Sequence, residues 1–165
     1  FDSIREEVEF SLGTTFNPEN SDSWAKYPFT IEEDIGGNNF LFVKIPVAGE
    51  EIELQLDTGS GRGLAIAEEL WEKMYHKTQQ VKLREGRDLY PYIGWLLCKR
   101  GVIPALEIGN RIVRDAMISV FPNDSPIVDG CSGLIGMQYF QDTVMILDFE
   151  RDLMWVKAPQ AFGLP

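Results

Sequence analysis

Residues 39–60 read NFLFVKIPVAGEEIELQLDTGS, and this stretch decides the fold. Phe40, Leu41, Phe42 and Val43 form an apolar run that suits a strand covered on both faces over its first half. Ala48, Gly49 and Glu50 make a tight turn. Beyond it Ile52, Leu54 and Leu56 alternate with Glu51, Glu53 and Gln55, the period of two that marks a strand with one solvated face. Two such runs around a short turn predict a hairpin. Its second strand runs into Asp57, Thr58, Gly59 and Ser60, four residue types that favour turns. A carboxylate is thereby placed where a hydrophobic strand breaks. Thr58 and Ser60 offer hydroxyls beside it, and Gly59 lets its N–H come close.

The same alternation continues outward. Residues 29–31 form a short apolar strand, ended by Glu32, Glu33, Asp34 and the turn cluster at 36–39. Helical spacing is clear once, over 67–78, where Leu70 and Met74 lie four apart opposite Glu68, Glu69, Glu72 and Lys73. His76 falls in that helix's last turn, where a cation suits the dipole. Residues 81–83, a turn at 85–87 and residues 89–97 predict a projecting hairpin with an aromatic tip. Strands follow at 102–108 and 112–120 around Gly109 and Asn110. Residues 122–130 read as loop, 137–141 as one helical turn, and 144–149 with 153–156 as a closing hairpin. One short helix among many strands predicts an all-β domain, closed or sandwiched, over 27–165. Residues 1–26 read differently: a short helix over 2–10 capped by Ser3, then an irregular arm or linker rich in Thr, Asn, Ser and Pro. A weak internal repeat is visible, since 47–54 and 107–114 are both glycine turns leading into a strand. The first copy runs into Asp57, the second into Gly133, Leu134, Ile135 and Gly136.

Composition narrows the chemistry. The 165 residues suit one domain, and 44% hydrophobic with 25% charged is globular. With 15 Lys and Arg against 26 Asp and Glu, the net charge is −11, the wrong sign for phosphate backbones or anionic membranes. A single histidine excludes a zinc site built on several imidazoles. No apolar run approaches the about 18 residues of a membrane span, so membrane contact is not indicated. The missing initial Met and the acidity point to an exported or membrane-tethered domain. Cys98 and Cys131 read either as two buried thiols or as a disulfide. Cys131 with His76 as nucleophile and base lacks a third, orienting group, and the glycines at 59, 61 and 63 lack the spacing of a phosphate cradle.

The strand at 39–45, the hairpin, Asp57-Thr58-Gly59-Ser60 and the segment Gly133-Leu134-Ile135-Gly136, in this order, resemble the retropepsin-like aspartic peptidases. The resemblance covers about residues 29–157. It implies a closed acid-protease-type β-barrel with one or two short helices, one lobe per chain. It also implies an endopeptidase that uses no metal or cofactor and acts on extended peptides. Asp57 would be the catalytic acid and base. Thr58 would brace two active-site loops against each other, and Gly59 and Ser60 would hydrogen-bond the carboxylate. Gly133, Leu134, Ile135 and Gly136 would support the loop from below. A flap is expected in 89–95, with Tyr92, Ile93 and Gly94 at its tip. Pepsin-like relatives carry two such motifs in one longer chain. This chain has one, and Asp129-Gly130 lacks the intervening hydroxyl residue. A working pair of carboxylates therefore implies a two-fold homodimer. The alternative is a non-catalytic dimerisation or peptide-binding module on the same fold.

Overall fold

Ala25–Glu33 (β1), Asn39–Val47 (β2) and Glu50–Asp57 (β3) form an antiparallel meander in the computed structural model. The model describes residues 1–3, 5–47, 49–75, 81–91 and 93–157. The alternation read at 51–57 becomes the burial pattern, with Ile52, Leu54 and Leu56 inside. Leu64–Ala67 (β4) leads into a helix, Glu68–Tyr75 (α1). Arg84–Tyr90 (β5), Gly94–Ile108 (β6) and Arg111–Phe121 (β7) form a second meander. Gly133–Gly136 (β8), a 3-10 turn at Met137–Phe140, and the hairpin Val144–Asp148 (β9) and Leu153–Lys157 (β10) complete the order.

All ten strands belong to one sheet, ordered β5-β6-β7-β4-β8-β3-β2-β1-β10-β9. It curls until β6 meets β2 at Leu106 and Val47, so six strands close a ring. Val43, Ile45, Leu54, Ile103, Leu106, Ile118 and Ile135 fill that ring, each contributing about 1.5–3 kcal/mol by leaving water. The fold is all-β and acid-protease-like, as the sequence predicts.

The internal repeat is real, and its register differs from the reading above. β8 runs parallel to β3, β4 runs parallel to β7, and β4 and β8 pair antiparallel between them. These pairings are related by a local two-fold. Gly133–Gly136 therefore corresponds to Leu64–Ala67, and the end of β7 at Phe121 corresponds to Asp57. A four-residue strand buried at every position has no alternation to read, which is why β4 was not predicted.

Other expectations are corrected. Residues 85–87 are not a turn but the middle of β5, where Gly86 pairs with Cys98. Its glycine gives room to the Arg100 side chain that crosses it, to which a Cβ there would come within 3.1 Å. The chain reverses instead between Tyr90 and Gly94, with the Ile93 N–H on the Tyr90 carbonyl at 3.3 Å. Val81 and Leu83 pack on the core as irregular chain rather than as a strand. The helix expected over 67–78 is described over Glu68–Tyr75, and His76 lies outside the described residues. Among the described residues of 2–10 none is helical; Asp2 and Glu7 exchange backbone hydrogen bonds of 2.8 and 3.0 Å, with Glu6 at φ 57°. Ser3 does not cap a helix there. Its hydroxyl donates to the Thr143 carbonyl at 2.7 Å.

The arm is tied to the closing hairpin. The Phe1 nitrogen donates to the Met145 carbonyl at 2.9 Å. Phe16 sits edge-on against Trp24 and Trp155, with centroids 4.9 and 5.5 Å away, and donates its N–H to Asp148 Oδ2 at 3.2 Å. Cys98 and Cys131 are both free thiols.

Candidate active site

Asp57 ends β3 on the strand phase opposite Ile52, Leu54 and Leu56, so its carboxylate leaves the core half-buried. The chain then turns back on it. The Gly59 N–H donates to Asp57 Oδ1 at 3.0 Å, and the Ser60 N–H donates to the Asp57 carbonyl at 3.2 Å. Two N–H groups thus hold the carboxylate and its backbone, an arrangement that favours an acceptor with a fixed orientation. The Ser60 hydroxyl does not reach the carboxylate, as the resemblance implied; it turns to the next residues and accepts the Arg62 N–H at 3.1 Å. Thr58 is exposed at the tip of the turn.

Gly133, Leu134, Ile135 and Gly136 lie directly beneath. β8 pairs with β3 through Leu134, Ile135 and Gly136, the last opposite Asp57. Leu134 and Ile135 are buried on opposite sides of the sheet, in separate clusters. Past β8 the chain ties the loop at 58–63: Gly136 N–H to Gly63 O at 2.9 Å, Met137 N–H to Ser60 O at 2.7 Å, and Gln138 N–H to Arg62 O at 3.2 Å. This contact is too close for a side chain. A Cβ on Gly136 would lie 2.8 Å from the Ser60 carbonyl oxygen and closer still to that of Arg62; one on Gly133 would lie 2.5 Å from the Ala65 oxygen. Beside Asp57 and Thr58 opens a recess walled by Phe40, Leu41, Leu56 and Leu147.

The β5–β6 hairpin stands over the same loop. Ile93 is exposed in its turn and Gly94 takes φ 100°, the left-handed geometry glycine supplies, while Tyr92 lies outside the described residues. Leu89, Trp95 and Leu97 are exposed on one face, and Arg87 lies over the Trp95 ring at 4.9 Å. On the other face Tyr90 is buried against Phe121. Its phenol is pushed up to about 12, first by burial and then by the Asp88 charge, with Asp57 also contributing.

Sequence reading missed the groups that join loop and hairpin. Asp88 is buried in β5 and accepts from the Ser119 hydroxyl at 2.5 Å, from Arg62 Nη1 at 3.3 Å and, in a shorter contact, from Arg100 Nη2. Arg62 Nη2 also donates to the Leu89 carbonyl at 3.5 Å. Burial opposes the charge on Asp88, but Ser119, Arg100 and Arg62 outweigh it and hold its carboxyl below the ordinary range. The available signal was a charge at an inward position, because 86, 88 and 90 share the inner face of β5.

The competing chemistries gain nothing from the geometry. Burial pushes both the Cys98 and Cys131 thiols up, which disfavours the thiolate that a nucleophile needs. Cys131 lies half-buried with its sulfur against the Ile127 carbonyl.

No protein-family model matches the chain. No curated protein matches it either. Among solved structures, the chain is similar to one described as a retropepsin-like aspartic protease from Rickettsia conorii. The TM-score is 0.53 at 17% sequence identity, covering 82% of this chain and 95% of that one. At that identity the likeness establishes a shared fold.

Proposed function

We propose that this chain is an aspartic endopeptidase that hydrolyses extended peptides between two Asp57 carboxylates, one from each subunit of a homodimer. Two such carboxylates about 3 Å apart share one proton. One then activates a water as base while the other donates a hydrogen bond to the scissile carbonyl. No metal or cofactor enters this scheme, in which Thr58, exposed at the loop tip, would brace its symmetry mate.

The observation that carries the reading is the local two-fold. Within one chain the strand end corresponding to Asp57 is Phe121, fully buried and followed by Pro122, so the pseudo-symmetric position offers no carboxylate. A second Asp57 has to come from a second chain. The β5–β6 hairpin, tethered above the loop, takes the place of the flap in this scheme.

The test is digestion of a denatured protein mixture from acidic to neutral pH, with and without a statine-type transition-state mimic. Asp57→Asn is nearly isosteric, so it should leave the thermal midpoint unchanged and lower cleavage by about 10²–10⁴-fold. Cleavage by the Asn variant at the parent rate would remove Asp57 from catalysis.

A further inference from the structure

We infer that Arg62 and Arg100 form a binding site for an acidic side chain of the peptide substrate, close to the scissile bond. The inference deepens the proposed peptidase and rests on Asp57 being its catalytic carboxylate. It begins from a charge count. Arg62 and Arg100 converge on one buried carboxylate, Asp88, whose side chain is 3% exposed, while theirs are 44% and 40% exposed. Two guanidiniums against one carboxylate leave one positive charge, half in solvent, on a chain of net charge −11.

Donors remain as well as charge. A guanidinium carries five N–H groups in a planar fork. Arg62 uses Nη1 on Asp88 and Nη2 on the Leu89 carbonyl, both long contacts at 3.3 and 3.5 Å. Arg100 places Nη2 on both Asp88 and the Arg87 carbonyl. Asp88 does not depend on Arg62, since Arg100 and Ser119 hold it more closely. A half-exposed guanidinium with spare donors and a weakly shared counter-ion suits a carboxylate ligand.

Placement gives the site its role. Arg62 stands five residues beyond Asp57 on the loop clamped by β8, and its side chain reaches the hairpin two residues before its turn. It therefore spans the gap between catalytic loop and hairpin, which an extended peptide lying over Asp57 must cross. The overall field of the chain repels an acidic peptide, so a preference for one needs a local positive site of this kind.

The experiment compares matched peptides bearing Glu or Gln near the cleavage point, the sites first mapped in a denatured protein digest. The expected result is acidic residues enriched around the mapped sites and kcat/KM about tenfold or more higher for Glu than for Gln, the scale of a charge-assisted hydrogen bond. In Arg62→Met that ratio should fall to about one, while Arg62→Lys keeps part of it by retaining charge without the fork. Asp88 stays partnered by Arg100 and Ser119 in both variants, and an unchanged thermal midpoint checks the fold. Unenriched sites, or an Arg62→Met variant that loses both peptides equally, would overturn the inference and make Arg62 a structural pin. If no peptide is cleaved, the peptidase reading fails by itself, and binding decides separately. Titrating the Glu and Gln peptides against Asp57→Asn by tryptophan fluorescence should then show tighter, salt-sensitive binding of the Glu peptide. Equal affinities would sink the site.

Discussion

Gly136 shows how much of the candidate site depends on one missing methyl. Its N–H bonds the Gly63 carbonyl at 2.9 Å, and the space a Cβ would need is taken by the Ser60 and Arg62 carbonyl oxygens. Gly136→Ala must push the loop off β8, and overpacking of this kind costs about 1–3 kcal/mol. Gly61→Ala is the control, because nothing lies within 4 Å of its Cβ position. Denaturant midpoints should separate the two variants, and equal midpoints would mean that the loop is not clamped as described. Asp88 makes a prediction in pH. Its carboxyl is held below the ordinary value, so it binds protons less readily folded than unfolded. Its contribution is therefore present above the unfolded value of about 3.9 and is lost as pH falls through the lower folded one. Asp88→Asn should lose about 1.5–3 kcal/mol at neutral pH and show a flatter stability curve below about pH 4. Parallel acid limbs in parent and variant would contradict the assignment.

At the scale of elements, strands long enough to show alternation or a bulky apolar run were legible, and the short buried β4 was not. β3 announces itself because Ile52, Leu54 and Leu56 alternate with polar residues. β4 is buried throughout and gave no such signal. β5 hid behind Gly86, whose turn-forming reputation masked its use as clearance for Arg100. The N-terminal arm is the clearest case of an element set by contacts far away in sequence. Phe16 carries its docking, edge-on to Trp24 and Trp155, with Arg151 donating to the Phe16 carbonyl. Phe16→Ala should lower stability by about 1–3 kcal/mol through the lost ring contacts. It should also speed amide exchange across residues 14–24 while leaving β3 and β8 unchanged. Equal protection of the arm in both proteins would show that Phe16 does not anchor it.

For the whole molecule, one Asp57 per chain makes the proposed activity a matter of concentration. Specific activity should fall on dilution, because the proposed dyad exists only in the dimer. Each chain carries −11, so association is opposed by repulsion that salt screens within about 10 Å at 0.1 M. The fall should be smaller at moderate ionic strength and near pH 5. Excess Asp57→Asn chains should poison the parent by forming heterodimers with one ionisable member. Sedimentation as a monomer at concentrations where turnover is full would exclude the two-chain site.

Apart from the glycine segment beneath Asp57, which only the family resemblance implied, the amino-acid sequence by itself determined the β-class of the domain and the hairpin leading into Asp57. Each of these is local: periodicity and turn chemistry act over a few residues, and Gly59 holds Asp57 from two positions away. Tertiary structure alone decided what meets across the chain. Arg62 finds Asp88 over 26 positions, Ser119 finds it over 31, and Phe16 finds Asp148 over 132. No spacing rule encodes those encounters, because each depends on where the sheet brings segments that are distant in sequence. The local two-fold, with Phe121 where a second carboxylate would stand, became visible only in the strand pairings. Closure of the ring is a property of six strands together, and so is the place it gives to Asp57.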